Sequence, residues 1–291
     1  MAVTIINGKE VAGLIQDELA VKVTELREKG VKPCLATLLV GEDPASQVYI
    51  GQKQKACERL GILPKHQTLS ATTTEAELFS IIEGLNNNPK INGILVQLPL
   101  PEHINSVKVL DAISPQKDVD GFHPFNVGKF FTEKSFSDMV DKGLFLPCTP
   151  YGIMELLKRY DVPVRGADVV VVGRSNIVGK PIALLLLAAD ATVTVCHSRT
   201  KNLKEVCQRA DIIIAAIGKP KFVTADMVKE GVVVIDVGVN RLPEGLVGDV
   251  DFVNVSQKAS AITPVPGGVG PMTITMLMAN TIMAARNQAG I

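Results

Sequence analysis

The sequence predicts an α/β fold with two α/β domains, the second a doubly wound Rossmann-like domain, and a cleft between them. The chain has 291 residues, which is long enough for two domains that each bury a core. Apolar runs such as Val169–Val172 fit parallel strands covered on both faces, and they alternate with helical patterns. We expect a first domain of residues 1–146 with a returning helix at 272–291, and a Rossmann-like domain of residues 147–271.

The composition favours small molecules as partners. Lys plus Arg and Asp plus Glu number 30 each without long runs of one sign, so we expect neither nucleic-acid nor membrane binding. No apolar run approaches the roughly 20 residues of a membrane span, and the first residues lack a signal-peptide pattern, which predicts a cytoplasmic protein. The 5 cysteines and 4 histidines show no metal-ligand spacing, so we expect reduced thiols and no metal.

The first half of the chain alternates between helical and strand patterns. An apolar stripe at helical spacing ends at Gly30, a continuous apolar run ends before Pro44, and Thr74 with Glu77 forms a capping box. The predicted helices cover residues 9–29, 45–60, 74–85 and 104–113, and the predicted strands cover residues 33–40, 62–69 and 93–97. An irregular passage is expected from 114 to 146, a length that is usually functional or mobile.

The second half begins at Thr149, which can cap a helix whose first position is Pro150. The alternation that follows is typical of a doubly wound sheet. The predicted strands cover residues 169–172, 191–196, 211–216 and 232–237, and the predicted helices cover residues 181–189, 203–210 and 225–230. A glycine- and proline-rich linker is expected at 263–271, before an apolar helix at 272–287.

Tyr49 and Lys53 lie four residues apart in the helix predicted at 45–60, so they share one helix face. Because this helix follows a parallel strand, its start lies at the carboxyl edge of the sheet, where open α/β folds bind ligands. An aromatic ring and an amine at that edge suit a binding site. Spacing alone, however, fits a solvated lysine and a half-buried packing tyrosine better.

Gln97 ends a predicted strand, and prolines follow at positions 99 and 101. Prolines fix the backbone and prevent further strand pairing, so Gln97 is held at the carboxyl edge of the sheet in a rigid ligand wall. An ordinary strand terminator explains the pattern equally well. Asp118 and Asp120 follow, but this pair alone predicts neither a metal site nor an acid/base dyad.

The segment from Val169 to Pro181 predicts a strand, a glycine-bearing turn and a helix start. Gly173 ends the strand, Gly179 allows close backbone approach, and Pro181 suits the first helical turn. Free amides at such a helix start predict a site for an anion such as a pyrophosphate. The spacing G-x-S-x-x-x-G-x-P departs from the usual dinucleotide fingerprint, so a strand, loop and helix without a ligand remain an alternative.

The strand after this turn ends at His197, Ser198 and Arg199, without the carboxylate that binds the ribose hydroxyl in typical NAD sites. A hydroxyl and a guanidinium suit a phosphate on the ribose, and Arg174 can add a second charge-assisted contact. The pattern therefore predicts NADP rather than NAD.

Five segments together resemble the bifunctional methylenetetrahydrofolate dehydrogenase/methenyltetrahydrofolate cyclohydrolase family. They are Tyr49-Ile-Gly-Gln-Lys53, Val96-Gln-Leu-Pro-Leu-Pro101, Lys117-Asp-Val-Asp-Gly-Phe122, Gly173-Arg-Ser-x-x-Val-Gly-Lys-Pro181 and Thr263-Pro-Val-Pro-Gly-Gly-Val-Gly-Pro-Met-Thr273. The resemblance implies NADP-dependent oxidation of 5,10-methylenetetrahydrofolate and hydrolysis of the product to 10-formyltetrahydrofolate, which feeds purine, methionine and histidine biosynthesis. It also implies a homodimer.

The resemblance gives the catalytic candidates Lys53, Gln97, Tyr49 and Asp120 their roles. Lys53 looks like the general acid/base of the cyclohydrolase step, and Gln97 looks like its hydrogen-bonding partner. Tyr49 would stack on the aminobenzoate ring, and Asp120 would anchor the pterin by accepting from its donor edge. Two further sets would line the pterin slot and close the catalytic cleft, respectively: Leu98, Pro99 and Pro101, and Pro266, Gly267, Gly268 and Val269.

The family's cofactor positions also match this chain. Gly173, Arg174 and Ser175 would meet the phosphates, Ser198 would lie near the ribose phosphate, and Val239 would lie at the nicotinamide end. The same turn adds Val178, Gly179 and Pro181, and charge alone adds Arg199. Two alternatives stay open: a dehydrogenase that lacks the hydrolase step or uses NAD, and a folate-binding or regulatory protein without catalysis.

Overall fold

The computed structural model describes residues 2–243 and 245–291. The helices are α1 (Gly8–Glu28), α2 (Pro44–Leu60), α3 (Glu75–Asn86), α4 (Ser106–Ala112), α5 (Pro124–Phe131), α6 (Phe136–Asp141), α7 (Cys148–Arg159), α8 (Gly179–Ala188), α9 (Leu203–Cys207), α10 (Phe252–Val255) and α11 (Val269–Gln288), with a 3₁₀ turn at Ala225–Met227. The strands are β1 (Thr4–Ile5), β2 (Cys34–Val40), β3 (Leu63–Leu69), β4 (Gly93–Val96), β5 (Asp168–Val172), β6 (Thr192–Cys196), β7 (Ile212–Ala215), β8 (Val233–Asp236), β9 (Asn240–Leu242), β10 (Gly245–Val247) and β11 (Ala261–Ile262).

One compact unit contains a three-stranded parallel sheet in the order β3-β2-β4, and it comprises residues 14–130, 143–148 and 274–291. The central strand β2 is buried along its whole length, as its continuous apolar run predicts. Buried residues of α3 and α4, such as Ile82 and Val109, pack in the core of this sheet. Because the strands are parallel, the residues that follow β2 and β4 lie at the same edge.

The other compact unit contains a six-stranded parallel sheet in the order β1-β11-β8-β7-β5-β6, and it comprises residues 2–13, 131–142 and 149–273. The chain passes from β5 to β6 on one side and to β7 on the other, which is the switch point where doubly wound sheets bind ligands. The prediction of two α/β domains with a Rossmann-like second one is confirmed. The cleft between them stays a prediction.

The sequence-based domain boundaries differ from these units at two long segments, and by two residues each at 147–148 and 272–273. Residues 2–13 and 131–142 belong to the unit with the six-stranded sheet, because β1 pairs with β11 and α6 packs near α8. Strands β1 and β11 have 2 residues each, which is too short for a periodic signal. The assignment of folate and cofactor to separate domains stays a prediction.

The passage expected to be irregular contains the helices α5 and α6. Each has a short apolar face, with Phe130 and Met139 buried, and Ser135 caps α6 by accepting from the amide of Asp138. Two further features differ from the sequence prediction: β9 pairs antiparallel with β10, and α9 ends at Cys207 rather than at residue 210. In residues 2–243 and 245–291, no helix combines the length and the apolar character needed to cross a membrane.

The predicted helix start at Pro150 is wrong. Helix α7 begins at Cys148, so Thr149 lies inside it, and its hydroxyl hydrogen-bonds that of Thr273 at 2.8 Å instead of capping the helix. Helix α11 likewise begins at Val269, within the segment expected to be a linker. In both cases the helix extends through a proline in its first turn, where proline is tolerated.

Candidate active site

Lys53 is held in the middle of α2, and the caps of that helix explain its position. The Asp43 side chain accepts from the amide of Ser46 at 2.7 Å, and Pro44 follows as the first helical residue. Gly61 ends the helix in the left-handed conformation. Lys53 is 8% exposed, so the solvated-lysine alternative is wrong, whereas Tyr49, one turn earlier, is half-buried.

Gln97 follows the last residue of β4 and hydrogen-bonds Lys53 directly. Its backbone amide donates to the carbonyl of Leu38 at 2.9 Å, which extends the pairing with β2 by one step. Lys53 Nζ donates to Gln97 Oε1 at 2.8 Å. Gln97 Nε2 donates to the carbonyl of Leu98 at 2.7 Å, so this contact fixes the orientation of the side-chain amide.

Asp120 reaches the same edge because the segment 117–120 runs beside β4. The amide of Ile94 donates to the carbonyl of Lys117 at 2.8 Å, and Ile94 pairs in parallel with Asp118. The Asp118 carboxylate is occupied by local donors and organises the next turn, since it accepts from the amide of His123 at 2.9 Å and from Asn126 Nδ2 at 2.8 Å. Asp120 is the acid of this pair that interacts electrostatically with Lys53.

Burial and mutual attraction together set the charges of this group. Burial lowers the pKa of Lys53, and the nearby Asp120 carboxylate partly opposes that change. Burial raises the pKa of Asp120 to about 6, although Lys53 acts in the opposite direction. The pKa of each group is therefore displaced towards neutral pH from that of an exposed lysine or aspartate.

Cys148 and Asn280 support Asp120, and the sequence analysis missed both. The Cys148 thiol hydrogen-bonds the Asp120 carboxyl and lies 3.3 Å from the carbonyl oxygen of Val119. Burial, with Asp120 nearby, raises the pKa of Cys148 well above its ordinary value, so the thiol stays neutral. Asn280 Nδ2 donates to the carbonyls of Val119 at 2.8 Å and of Leu146 at 3.0 Å. A lone cysteine and a mid-helix asparagine carry no sequence signal for such a role.

The remaining residues expected around the folate fall into two places. Leu98 and Pro101 are half-buried and Pro99 is exposed, all directly after Gln97. The second set, Pro266, Gly267, Gly268 and Val269, belongs to the unit with the six-stranded sheet. Gly268 and Val269 are buried there, whereas Pro266 is exposed. Their roles stay predictions.

A cavity of about 510 Å³ opens at the carboxyl ends of β5, β6 and β7. Four predicted cofactor residues line it: Gly173, Arg174, Ser175 and Ser198. The other five, Val178, Gly179, Pro181, Arg199 and Val239, are not among its lining residues. The cavity thus coincides with the predicted phosphate turn and with the end of the second strand.

Gly173 and Gly179 allow the close packing of this turn. Gly173 has φ +131°, and a Cβ there would overlap the carbonyl of Ala216, while one on Gly179 would overlap the carbonyl of Gly173. The prediction of free amides at the start of α8 is wrong for two residues. The amides of Val178 and Gly179 donate to Ser175 Oγ at 3.1 and 3.2 Å. Ser175 therefore organises the turn itself and removes these two amides from the anion site.

Basic and aromatic side chains that the sequence analysis missed also line the cavity. They are His197, Lys219 and Phe222, and Lys219 Nζ lies 5.8 Å from the centre of the Phe222 ring. Of the described residues around the cavity, none is Asp or Glu. The lining suits a ligand with several phosphates and an aromatic base. Lys219 and Phe222 follow the end of β7, where the sequence contains no recognised motif.

Two family models match this chain. The catalytic domain of tetrahydrofolate dehydrogenase/cyclohydrolase matches residues 6–120, and its NAD(P)-binding domain matches residues 147–289. The chain belongs to the tetrahydrofolate dehydrogenase/cyclohydrolase family. The first match contains the Lys53, Gln97 and Asp120 group, and the second contains the cavity of the six-stranded sheet.

Individual relatives match over almost their whole length. Bifunctional protein FolD from Pelobacter propionicus is 58% identical over 283 residues, which cover 97% of this chain and 97% of that protein. The crystal structure of the bifunctional enzyme FolD from Campylobacter jejuni is 51% identical and has a TM-score of 0.92, covering 98% of this chain and 99% of that one. The Trypanosoma brucei enzyme, whose crystal structure contains NADP cofactor and an inhibitor, is 38% identical, with a TM-score of 0.92 and 100% coverage of both chains.

These matches confirm the predicted family, the prediction of an enzyme of tetrahydrofolate chemistry, and the prediction of a nicotinamide dinucleotide cofactor. The alternative of a non-enzymatic folate-binding protein is thereby set aside. No three His, Cys, Asp or Glu side chains form a potential metal site within the part of the chain that the structure describes.

Proposed function

We propose that this chain oxidises 5,10-methylenetetrahydrofolate to 5,10-methenyltetrahydrofolate with NADP and then hydrolyses that product to 10-formyltetrahydrofolate. The observation that carries the proposal is the contact between Lys53 and Gln97 with Asp120 nearby, inside the region matched by the family's catalytic domain.

The hydrolase step requires a proton acceptor and a proton donor at the methenyl carbon. Lys53 supplies both functions, because its lowered pKa allows a neutral amine to activate water and an ammonium to return the proton when the ring opens. Gln97 orients the amine through its Oε1 acceptor. Asp120 favours the ammonium form and so limits how far burial lowers the pKa of Lys53.

Folate binding uses the residues around this group. The Asp120 carboxylate accepts from the amino and ring N–H donors along one edge of the pterin, and Tyr49 offers its half-buried ring to the aminobenzoate. Leu98, Pro99 and Pro101 line the pterin slot. We also keep Pro266, Gly267, Gly268 and Val269 as proposed folate-site residues.

The dehydrogenase step needs NADP, which supplies the hydride acceptor when bound. The chain's own residues bind and orient it: Arg174 and Lys219 provide positive charge in the cavity, and His197 and Gly173 also line it. Ser198, in place of an acid at the end of β6, favours the ribose phosphate of NADP over the free hydroxyl of NAD. Val239 would lie at the nicotinamide end of bound NADP, and Arg199, Val178, Gly179 and Pro181 complete the proposed set.

We extend the proposal to the assembly and the compartment. Strand β6 lies at an edge of its sheet, and its single strand neighbour among the described residues is β5, so its outer backbone groups suit pairing with a second copy in a homodimer. Size-exclusion chromatography with light scattering tests this. The balanced charge supports the absence of a nucleic-acid partner, and we place the protein in the cytoplasm.

Absorbance of the purified protein mixed with methylenetetrahydrofolate and NADP tests the proposed function, with NADPH and the methenyl chromophore followed separately. We expect NADPH to rise with little build-up of the methenyl compound. Stoichiometric accumulation of the methenyl compound would contradict the hydrolase step. Equal rates with NAD would contradict the choice of cofactor.

A further inference from the structure

Two buried carboxylates in the unit with the six-stranded sheet have no role in the mechanism above. Asp236 is the last residue of β8 and is 4% exposed, and Asp249 follows β10 and is 0% exposed. Asp236 accepts from the backbone amides of Gly238 at 3.0 Å, Asp249 at 2.8 Å and Val250 at 2.9 Å. Asp236 therefore fixes the backbone at Asp249.

Asp249 in turn holds both ends of the segment 217–223. Its Oδ2 accepts from the amides of Ile217 at 2.7 Å and Gly218 at 2.8 Å, and its backbone carbonyl accepts from the amide of Val223 at 2.9 Å. Charge-assisted contacts of this kind are stronger than neutral hydrogen bonds, and their burial shields them from water. Asp249 thus fixes both ends of the segment 217–223 through hydrogen bonds.

The clamped segment forms one wall of the 510 Å³ cavity. Ile217, Lys219 and Phe222 all line the cavity, as Arg174 does. Gly218 places the chain in the left-handed conformation, with φ +66°, immediately before Lys219. The position of the Lys219 amine therefore depends on a backbone that Asp249 anchors on both sides.

The same pair also holds the loop around Val239. Asp249 Oδ1 accepts from Asn240 Nδ2 at 2.9 Å, and Asp236 binds the amide of Gly238, so both neighbours of Val239 are tied. A Cβ on Gly238 would overlap the Asp249 carboxylate. Burial raises the pKa of Asp236 to about 6, so Asp236 is ionised and able to accept at pH 7.5.

We propose that Asp249, held in place by Asp236, is a positioning residue for NADP, fixing the cavity wall at 217–223 together with the Val239 loop. This inference rests on the proposed function. Asp249 does not line the cavity itself, so it acts through Ile217, Gly218 and Asn240.

The test compares Asp249→Ala, Asp249→Asn and Asp251→Asn in the full-length chain. Alanine leaves the amides of Ile217 and Gly218 without an acceptor. Asparagine keeps one oxygen for those amides, and the Asn240 amide can turn to accept from the new side chain. Asp251 is a matched control, since it lies two residues on and pairs with exposed Asn254.

Isothermal titration with NADP provides a readout besides activity. We expect Asp249→Ala to weaken NADP binding by about tenfold or more, Asp249→Asn to weaken it less, and Asp251→Asn to leave it unchanged. Kinetics should show a raised KM for NADP, while hydrolysis of added methenyltetrahydrofolate, which needs no cofactor, stays within about threefold of wild type.

Two outcomes would overturn the inference while leaving the proposed function intact. One is NADP affinity within twofold of wild type in both Asp249 variants. The other is a parallel loss of hydrolysis and NADP binding in Asp249→Asn, which would mean that the carboxylate serves general folding. Wild-type protein that binds no NADP would overturn the inference and the proposed function together.

Discussion

Lys53 Nζ donates to Gln97 Oε1 over 2.8 Å, and this contact directs the chemistry of the amine. Gln97 is itself fixed by donating to the carbonyl of Leu98. A neutral amine keeps two N–H donors, so the contact survives loss of a proton and the lone pair points away from Gln97. The protein thus orients Lys53 in both protonation states, as a group that takes up and returns a proton requires.

Lys53→Met should remove hydrolysis much more than oxidation. Methionine keeps a similar length without a titratable group, so the hydrolase kcat/KM should fall by about 10²- to 10⁴-fold, the usual contribution of general acid/base catalysis. Hydride transfer depends mainly on orientation and should fall by less than about tenfold. Decay of methenyltetrahydrofolate and formation of NADPH measure the two steps separately.

Lys55→Met is the matched control for this variant, because Lys55 is an exposed lysine on the same helix. Both activities should survive that change. Equal loss of the two activities in Lys53→Met would contradict the proposed role and would make Lys53 primarily a folate-binding residue.

Gln97→Glu should shift the pH profile of hydrolysis upwards. A carboxylate in place of the amide would stabilise the Lys53 ammonium and raise the pKa of Lys53. The active neutral amine would then form only at higher pH, and the profile should shift by about one pH unit or more. Gln97→Ala removes the acceptor without adding charge, and should slow hydrolysis without an upward shift. Identical profiles for the two variants would contradict electrostatic control by this position.

Asp120→Asn should remove a pH dependence of folate use. The Asp120 pKa of about 6 predicts that kcat/KM for the folate falls as the pH drops through that value, because a protonated carboxyl accepts fewer hydrogen bonds from the pterin. The inflexion should be absent in Asp120→Asn, whose activity is lower throughout. An unchanged inflexion in the variant would assign it to another group.

The same substitution should stabilise the fold at pH 7.5. The pKa of Asp120 rises on folding from 3.8 to about 6. Between these two pH values the folded state holds a proton that the unfolded state has lost. The stability linked to this group is therefore full below about pH 4 and is lost as the pH rises through about 6. Asp120→Asn should raise the free energy of unfolding at pH 7.5 by about 1 to 3 kcal/mol in urea titrations. A decrease would mean that attraction to Lys53 outweighs desolvation.

Local patterns predicted much of the fold, because the helices and strands here carry strong signals. The continuous apolar runs of β2 and β5 and the capping box at Thr74 are such signals, and the structure contains all three. The face shared by Tyr49 and Lys53 followed from helical geometry. Spacing nevertheless favoured a solvated lysine, since the buried Lys53 interacts with Gln97 and Asp120, which are distant in sequence.

Features that rest on long-range contacts could not be predicted from pattern alone. Strand β1 exists only because it pairs with β11, more than 250 residues away. Asn280 reaches the carbonyl before Asp120 from the last helix, and Lys219 reaches the cavity through a loop that Asp249 anchors. The hydroxyl of Ser175 accepts from amides that the sequence analysis left free for an anion. Each of these contacts requires knowledge of the packed fold.

Ser198→Asp should weaken NADP binding and favour NAD. Ser198 lines the cavity at the end of β6, so a carboxylate there would repel the ribose phosphate and could accept from the free hydroxyl of NAD. We expect the Kd for NADP to rise by about 100-fold, while the Kd for NAD stays the same or falls. Isothermal titration with both dinucleotides measures the change.

Arg174→Ala and Arg199→Ala separate the two arginines proposed for the cofactor. Arg174 lines the cavity, whereas Arg199 does not, so loss of Arg174 should cost about tenfold or more in NADP affinity and loss of Arg199 should cost less than about threefold. The reverse order would mean that Arg199, predicted from charge alone, swings onto the ribose phosphate when NADP binds. Equal Kd values for NADP and NAD in the wild type would contradict the proposed selectivity. Neither arginine would then favour the dinucleotide that carries the ribose phosphate.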